Sequence, residues 1–319
     1  MNLFHVIGQT WAIDGSTMSV VYRLGGDDCV LLEPGHPADR AAIEAVLDEQ
    51  HLRVRGILST HSHHDHFGNA RYFAKKYGGL PIVLPLGEAA ACRSPEAMAD
   101  ILGFRSTYYT RSAALSPVLG PVDETIGFDQ AAVESAGAVF DVIHTPGHTA
   151  DCVSFRTPDG VLIVGDVLST HDRLQRLRAP YTTNFALDLS SKRLLAETPC
   201  TFCVMAHNGV APAKDVSAIA AENIAVLEDM IDTVRGLIER PMSIDEIIPL
   251  FCEVRGIYGP TPVHGMHARH VVGGIIGYLL DRGEIAPETQ RGLTHFTKSP
   301  RSAAAQAVFF DGSETNGGT

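Results

Sequence analysis

The sequence lacks a run of apolar residues long enough to cross a membrane. A transmembrane helix needs about 20 predominantly apolar residues, and polar residues interrupt the apolar runs of this chain well before that length. Residues 1–5 also contain no basic segment followed by an apolar one, so we expect no secretory signal peptide. These absences predict a protein of the cytoplasm with no membrane partner.

Basic residues and cysteines are scarce as well. The chain has 25 Lys and Arg against 37 Asp and Glu, a formal net charge of −12. Because such a chain repels a phosphate backbone, we expect no extended nucleic-acid interface. The six cysteines are scattered, and the single C-x-x-C pair, Cys200 and Cys203, is interpreted as buried thiols in a reducing compartment.

Histidine, by contrast, is concentrated in one short stretch. His61, His63, His64 and His66 surround Asp65. A short apolar run precedes the stretch and a helical pattern follows it, so the stretch is expected to be a strand-to-helix turn. Packing does not explain four imidazoles and a carboxylate in one turn, whereas these groups are suitable ligands for zinc, iron or manganese. The stretch therefore predicts a metal site.

Three later strand ends supply further residues of the same ligand types. They are His148 after the predicted strand 138–143, Asp166 after 161–164, and His207 after 201–206. A side chain at the end of a strand is held by a rigid scaffold, and glycine or proline beside it lets the backbone turn sharply. We expect these residues to meet the histidine stretch at a common rim.

Four motifs in this order, T-H-S-H-H-D-H, T-P-G-H-T, V-G-D and A-H-N-G, resemble those of the metallo-β-lactamase superfamily. The resemblance covers roughly residues 15–210. It implies a mixed α/β (α+β) fold, a four-layer αββα sandwich with metals in a groove between the edges of two mixed sheets. It also implies two divalent ions, zinc or else iron or manganese, with this ligand set: His61, His63 and His148 for the first, Asp65, His66 and His207 for the second, and Asp166 between them.

Neighbouring residues are expected to support this site. Glu33 ends a strand where the family usually has an aspartate that orients a ligand, and the longer side chain leaves that role open. His64 is not a ligand position in this family and should point away from the metals or toward the groove. Asp65 is a candidate proton donor to the leaving group. Tyr181 is a candidate donor to a developing oxyanion, with an ordinary loop tyrosine as the alternative.

The pattern of elements changes to helices after Lys214. We expect a catalytic domain at 1–214 with an insertion at about 88–137, a helical extension at 215–310 and a disordered tail at 311–319. Helices followed by two short β-rich segments make the extension winged-helix-like, and its acidity favours packing or a homodimer contact over DNA binding. It also contains three helix-face histidines that are either solvated or packed or form a third metal site: His264, His267 and His270.

These features together predict a dinuclear metal-dependent hydrolase. We expect a hydroxide shared by the two metals to attack the carbonyl of a small acyl substrate, such as a thioester or a lactone. Phosphodiester hydrolysis of the nuclease type, β-lactam hydrolysis and a metal-binding regulatory role with little turnover stay open as alternatives. The acidic charge disfavours the first of these, and the lack of an export signal disfavours the second.

Overall fold

The computed structural model describes residues 1–101, 107–112, 115–207, 209–259 and 262–299. They divide into two compact units, Met1–Glu228 and a second unit that begins at Asp229. The domain boundaries at 214 and 310 stay predictions, and the tail at 311–319 lies outside the described residues. No helix in the described part of the chain is both long enough and apolar enough to span a bilayer.

The first unit contains two large sheets. The seven strands of the first sheet lie side by side in chain order: β1 (Leu3–Ile7), β2 (Thr10–Ile13), β3 (Ser19–Gly25), β4 (Asp28–Leu32), β5 (Arg53–Leu58), β6 (Ile82–Pro85) and β7 (Glu124–Ile126). Strands β1 to β4 pair antiparallel, and β4 to β7 pair parallel. The first sheet is therefore mixed, as the family resemblance implies.

The second sheet has six strands: β8 (Ala132–Ser135), β9 (Ala138–His144), β10 (Val153–Arg156), β11 (Val161–Ile163), β12 (Phe202–Met205) and β13 (Gly209–Pro212). All neighbours in this sheet are antiparallel except β11 and β12, which are parallel. Because β11 and β12 run in the same direction, the residues that follow them emerge at the same edge of the sheet.

Helices of the first unit follow the strands. They are α1 (Arg40–Glu49), α2 (His64–Phe67), α3 (Ala70–Lys76), α4 (Leu86–Cys92), α5 (Pro95–Ile101), α6 (His171–Arg176), α7 (Phe185–Glu197) and α8 (Ala213–Leu237), the last of which continues past Glu228. Two 3₁₀ turns occur at Pro37–Asp39 and Ser116–Val118.

Strand β4 shows how the first sheet is covered on both faces. Successive side chains of a strand point to opposite faces, so Leu31 and Leu32 enter different clusters. Leu31 packs with Ile43 of α1 and Phe73 of α3. Leu32 packs with residues of the second sheet such as Phe155. Helices therefore cover one face of the first sheet, and the second sheet covers the other.

The outer face of the second sheet is covered in the same way. Leu162 of β11 and Met205 of β12 pack with Leu195 of α7 and Ala220 of α8. The layers are thus helix, sheet, sheet, helix, and the predicted four-layer αββα sandwich is confirmed.

The segment 88–137 contributes to both large sheets. It contains α5 and most of α4, and also β7 and β8, which form one edge of the first and one edge of the second sheet. Sequence patterns did not indicate β7 or β8, because each has only three or four residues and little apolar alternation.

The second unit contains α9 (Ile244–Arg255), α10 (Pro262–Asp281) and a small sheet ordered β14 (Met242–Ser243), β16 (Leu293–Lys298), β15 (Ile285–Gln290). A capping box begins α9, where the Ser243 N–H donates to Glu246 Oε2 over 2.8 Å. Two helices followed by the β15–β16 hairpin confirm the C-terminal helical extension.

Candidate metal centre

The candidate ligands lie in loops at the ends of strands from both sheets. The histidine stretch follows β5, His148 follows β9, Asp166 follows β11 and His207 follows β12. Gly165 lets two of these loops approach closely. Its φ is +52°, and a Cβ there would lie 2.5 Å from Thr60 Oγ1, so both the backbone conformation and the space require glycine.

A first cluster contains His61, His63, His148 and Asp166, whose candidate ligand atoms all lie within 4.8 Å of one another. His148 Nε2 is 3.0 Å from His63 Nδ1 and 3.6 Å from Asp166 Oδ2. Three nitrogens and one carboxylate oxygen at these separations match the donor set of a four-coordinate zinc site.

A second cluster contains Asp65, His66, Asp166 and His207, within the same 4.8 Å limit. Asp166 Oδ1 lies 3.2 Å from His207 Nε2 and 3.4 Å from His66 Nε2. Asp65 Oδ2 is 3.5 Å from His207 Nε2. Asp166 therefore faces the first cluster with one carboxylate oxygen and the second cluster with the other, which is the arrangement that a shared ligand requires.

Hydrogen bonds on the opposite ring nitrogens orient these histidines. The Nδ1–H of His148 donates to the Tyr181 carbonyl, and that of His207 donates to the Ser16 carbonyl, both over 3.0 Å. A backbone carbonyl only accepts, so it fixes a proton on Nδ1 and makes Nε2 the nitrogen that faces the cluster and can bind a metal. Side-chain oxygens orient two other histidines, His61 and His66, through the same ring nitrogen, Nδ1.

His61 Nδ1 lies 3.0 Å from Thr60 Oγ1, and His66 Nδ1 lies 2.5 Å from Glu33 Oε2. The hydroxyl of Thr60 donates to Glu33, so it accepts from His61. Among the described residues, the Nε2 atoms of His61 and His66 are buried without a hydrogen-bond partner. Buried polar nitrogens are rarely left in that state, and a metal ion would satisfy them, so the residues fit the ions that the sequence predicts.

Glu33 is buried and accepts four hydrogen bonds. Its Oε1 accepts from Thr60 N over 2.6 Å and from Ser59 Oγ over 3.0 Å, and its Oε2 accepts from Thr60 Oγ1 and His66 Nδ1. The φ of Glu33 is +55°, an uncommon conformation for a residue with a side chain. The longer side chain therefore reaches the histidine loop and fills the orienting position that the sequence left open.

The electrostatics of the first cluster favour neutral imidazoles. Burial lowers the pKa of His61 well below its ordinary value, and repulsion from His66 adds to the effect. Burial lowers the pKa of His63 to about 3, with a further contribution from His148. A neutral imidazole has the lone pair that a metal ligand needs, so these side chains are in the binding form at neutral pH.

Carboxylates dominate the second cluster. Burial alone would raise the pKa of Asp166, but attraction to His66 and a hydrogen bond from His207 hold it well below its ordinary value. Burial alone would lower the pKa of His66, but Asp166 and Asp65 raise it well above the usual range. The second cluster thus favours carboxylate anions, and a cation that binds there displaces protons from its imidazoles.

Tyr181 lies beside the first cluster. Its ring centroid is 5.5 Å from those of His63 and His148. Burial, with the negative charge of Glu88, raises the pKa of the phenol to about 12, so it keeps its proton at neutral pH. The structure therefore brings both candidate catalytic residues, Asp65 and Tyr181, to the edge of the clusters, and their catalytic roles stay predictions.

Several other histidines lie outside the clusters. His64 is partly exposed and its ring packs edge-on against His36, with centroids 5.1 Å apart. His171 pairs with Glu222 over 2.5 Å. The three helix-face histidines of α10 belong to none of the metal-binding clusters found in the described part of the chain: His264, His267 and His270.

Two residues that support the site escaped the sequence patterns. Asn223 of α8 is buried, accepts from Ser169 N over 2.9 Å and donates to Ser169 O over 2.8 Å, which fixes the loop after Asp166. Glu88 of α4 is also buried and contacts the histidine stretch. The sequence signal that could have indicated Glu88 is its position as the one acidic residue among small and apolar residues at the start of α4.

Residues 12–207 match the family model for the metallo-beta-lactamase superfamily. A hydroxyacylglutathione hydrolase from Photobacterium profundum is 31% identical over 140 residues, 44% of this chain and 42% of that protein. The chain thus spans less than half the length of this curated relative.

Solved structures with the same fold include the following two. A metallo-beta-lactamase family protein from Thermus thermophilus has a TM-score of 0.67 at 22% identity, covering 88% of this chain and 93% of that one. A beta-lactamase domain protein from Burkholderia ambifaria has a TM-score of 0.69 at 20% identity, covering 93% and 94%. At these identities the likeness concerns the fold alone.

Proposed function

The chain belongs to the metallo-β-lactamase superfamily, and from this premise we propose that it is a metal-dependent hydrolase with a dinuclear centre. The position of Asp166 carries the proposal, because its two carboxylate oxygens face two different histidine clusters. The proposed ligands are those predicted from the sequence: His61, His63, His148, Asp65, His66, His207 and the shared Asp166.

The donor set suits two divalent ions, with zinc favoured and iron or manganese as alternatives. Five histidines and two aspartates provide nitrogen and oxygen donors of the kind that zinc prefers. When bound, such ions supply a water of lowered pKa and polarise a substrate carbonyl oxygen. Proton transfer and stabilisation of the oxyanion depend on side chains of the protein.

Asp65 and Tyr181 have the proposed catalytic roles. The Asp65 side chain is about one quarter exposed, so it lies at the open side of its cluster. Burial alone would raise its pKa, but attraction to His66 holds the pKa below its ordinary value, so the carboxylate can accept a proton from the attacking water and pass it to a leaving group. The Tyr181 phenol keeps its proton and lies against His63 and His148, where it can donate to an oxyanion that forms on the substrate. Asp166 stays ionised between the two clusters, because its pKa is held low.

A thioester of a small acyl group is the proposed substrate, with a lactone as a related acyl ester. The support comes from the relative named hydroxyacylglutathione hydrolase, since an acyl group on the glutathione thiol is a thioester. The acidic charge of the chain is consistent with a small-molecule substrate and unfavourable for a nucleic acid. A homodimer and a cytoplasmic location are further expectations.

A hydrolysis panel on metal-analysed protein tests this function. Thioesters, lactones, an aryl phosphodiester and a β-lactam are compared at equal concentration, with Asp166→Asn as the site variant and the exposed Asp172→Asn as its matched control. We expect two metal equivalents per chain, the highest kcat/KM on a thioester, and loss of both metal and activity in Asp166→Asn alone. Freshly purified protein without metal, or a dominant phosphodiesterase activity, would overturn the proposal.

A further inference from the structure

Glu88, in the first turn of α4, makes a specific contact with the histidine stretch. Its side chain is 5% exposed, and a single carboxylate oxygen, Oε2, accepts from both Ser62 N over 2.9 Å and Ser62 Oγ over 2.6 Å. Ser62 lies between His61 and His63, which both belong to the first cluster. Glu88 itself contributes no atom to either cluster.

The residue before Glu88 contacts the other loop of the same cluster. The Gly87 N–H donates to Asp151 Oδ2 over 2.7 Å, and Asp151 follows His148 by three positions. A Cβ at Gly87 would lie 2.8 Å from the Cβ of Asp151, so only glycine permits this approach. The first turn of α4 is thereby bonded to both loops that supply histidines to the first cluster.

We propose that Glu88 is a positioning residue for the first metal site, and that it acts on that site and not on the second. The proposal rests on the proposed dinuclear function, because it assumes that His61, His63 and His148 bind a metal. A hydrogen bond to a carboxylate is roughly twice as strong as one between neutral groups, so Glu88 fixes the backbone between the two histidines firmly. The spacing of the three imidazoles then depends on α4.

The two buried glutamates act on different parts of the centre. Glu33 bonds directly to His66 and, through Thr60, to His61. Glu88 bonds only to Ser62 among the residues of the histidine stretch. Loss of the negative charge at Glu88 should therefore weaken metal binding by His61, His63 and His148 and spare Asp65, His66 and His207.

Metal affinity in two half-site backgrounds tests this selectivity. His207→Ala removes the second site and His63→Ala removes the first, so each background keeps one equivalent of Zn²⁺, measured by competition with a chelator. Glu88→Gln keeps the shape of the side chain and removes its charge. In the His207→Ala background we expect Glu88→Gln to weaken Zn²⁺ binding by about 10-fold, the lower end of the range for residues that orient ligands, because the amide oxygen can still accept both hydrogen bonds but has no charge. In the His63→Ala background we expect no change.

Two further variants keep the test decisive. Ser62→Ala removes only the hydroxyl bond to Glu88, so it should shift affinity in the same background and by a smaller factor, even if Glu88→Gln folds poorly. Glu124→Gln, an exposed glutamate on β7, is the matched control. An equal loss in both backgrounds, or wild-type affinity in Glu88→Gln and Ser62→Ala, would refute the positioning role. Two-metal wild-type protein that hydrolyses no thioester would instead refute the proposed function and leave this result standing.

Discussion

Substitution of Glu33 by glutamine should damage the second metal site through one hydrogen bond. Glu33 has two carboxylate oxygens, and each accepts from two donors. Glutamine has only one acceptor oxygen, and its amide group is a donor. One of the two donor pairs must therefore face an NH₂ group.

Both orientations of the amide are unfavourable. If the amide oxygen faces Thr60 N, the NH₂ group faces Nδ1 of His66, whose proton must move to Nε2, the atom that faces the second cluster. If the oxygen faces His66, the NH₂ group faces the N–H of Thr60, which cannot reverse. A buried donor without an acceptor costs about 1–3 kcal/mol. The first orientation blocks the ligand atom, and the second destabilises the loop that contains His61.

The expected effect on metal binding follows from these numbers. Loss of a hydrogen bond to a charged group costs about 1.5–3 kcal/mol, and each 1.4 kcal/mol is a factor of ten in an equilibrium constant. We therefore expect Glu33→Gln to weaken Zn²⁺ binding at the second site by roughly 10- to 100-fold, in agreement with the usual effect of removing a residue that orients a ligand.

Chelator competition in the His63→Ala background measures this site alone. The exposed Glu49→Gln is the matched control, because it makes the same chemical change on the surface of α1. Thermal unfolding of metal-free protein gives the separate cost to the fold. If Glu33→Gln binds Zn²⁺ as tightly as the control and the metal-free protein is also as stable as the control, then neither orientation of the amide has the expected cost, and the argument fails.

Three further outcomes are expected. Tyr181→Phe should lower kcat on a thioester by about 100-fold or more with little change in KM, because an oxyanion donor acts in the transition state. A kcat within about twofold of wild type would exclude Tyr181 as the oxyanion donor. Gly165→Ala should lower the free energy of unfolding by about 2–4 kcal/mol in urea titrations, since it combines a positive φ with a Cβ that meets Thr60, and unchanged stability would contradict the packing. A backbone hydrogen bond from Ser243, together with a hydrogen bond from Arg240, lowers the pKa of Glu246 from an ordinary 4.5 to about 2. The ionised carboxylate therefore adds stability above pH 4.5, and this stability is lost as the pH falls toward 2. The urea midpoints of wild type and Glu246→Gln should converge over that range, and a difference that stays constant with pH would contradict the role of Glu246.

The sequence predicted which side chains cluster better than it predicted what orients them. His61, His63, His148 and Asp166 each follow a strand, and residues near one another in a motif or at strand ends leave a local pattern. Glu33 meets Thr60 because β4 and β5 pair in parallel, with Leu32 opposite Leu58. That register places the residues that follow the two strands side by side. The pattern of residues within one strand does not indicate the register between two strands.

The same limit applies to the sheets. Apolar residues dominate 18–24 and 29–32, and a glycine turn joins the two runs, which predicts two paired strands; the structure has β3 and β4 there within a residue or two. Strands β1, β2, β7, β8 and β13 were not predicted. They are short and lie at or near sheet edges, where one side of the strand lacks a partner and fewer apolar residues are needed.

The histidines and the polar residues of the motif alternate in what they contact. His61 and His63 face the first cluster. Thr60 and Ser62, which precede them, bond instead to two buried glutamates. Thr60 meets Glu33 and Ser62 meets Glu88. The serine between the two histidines therefore has a structural role of its own, because its N–H and its hydroxyl give the second glutamate two donors while the histidines on either side face the cluster.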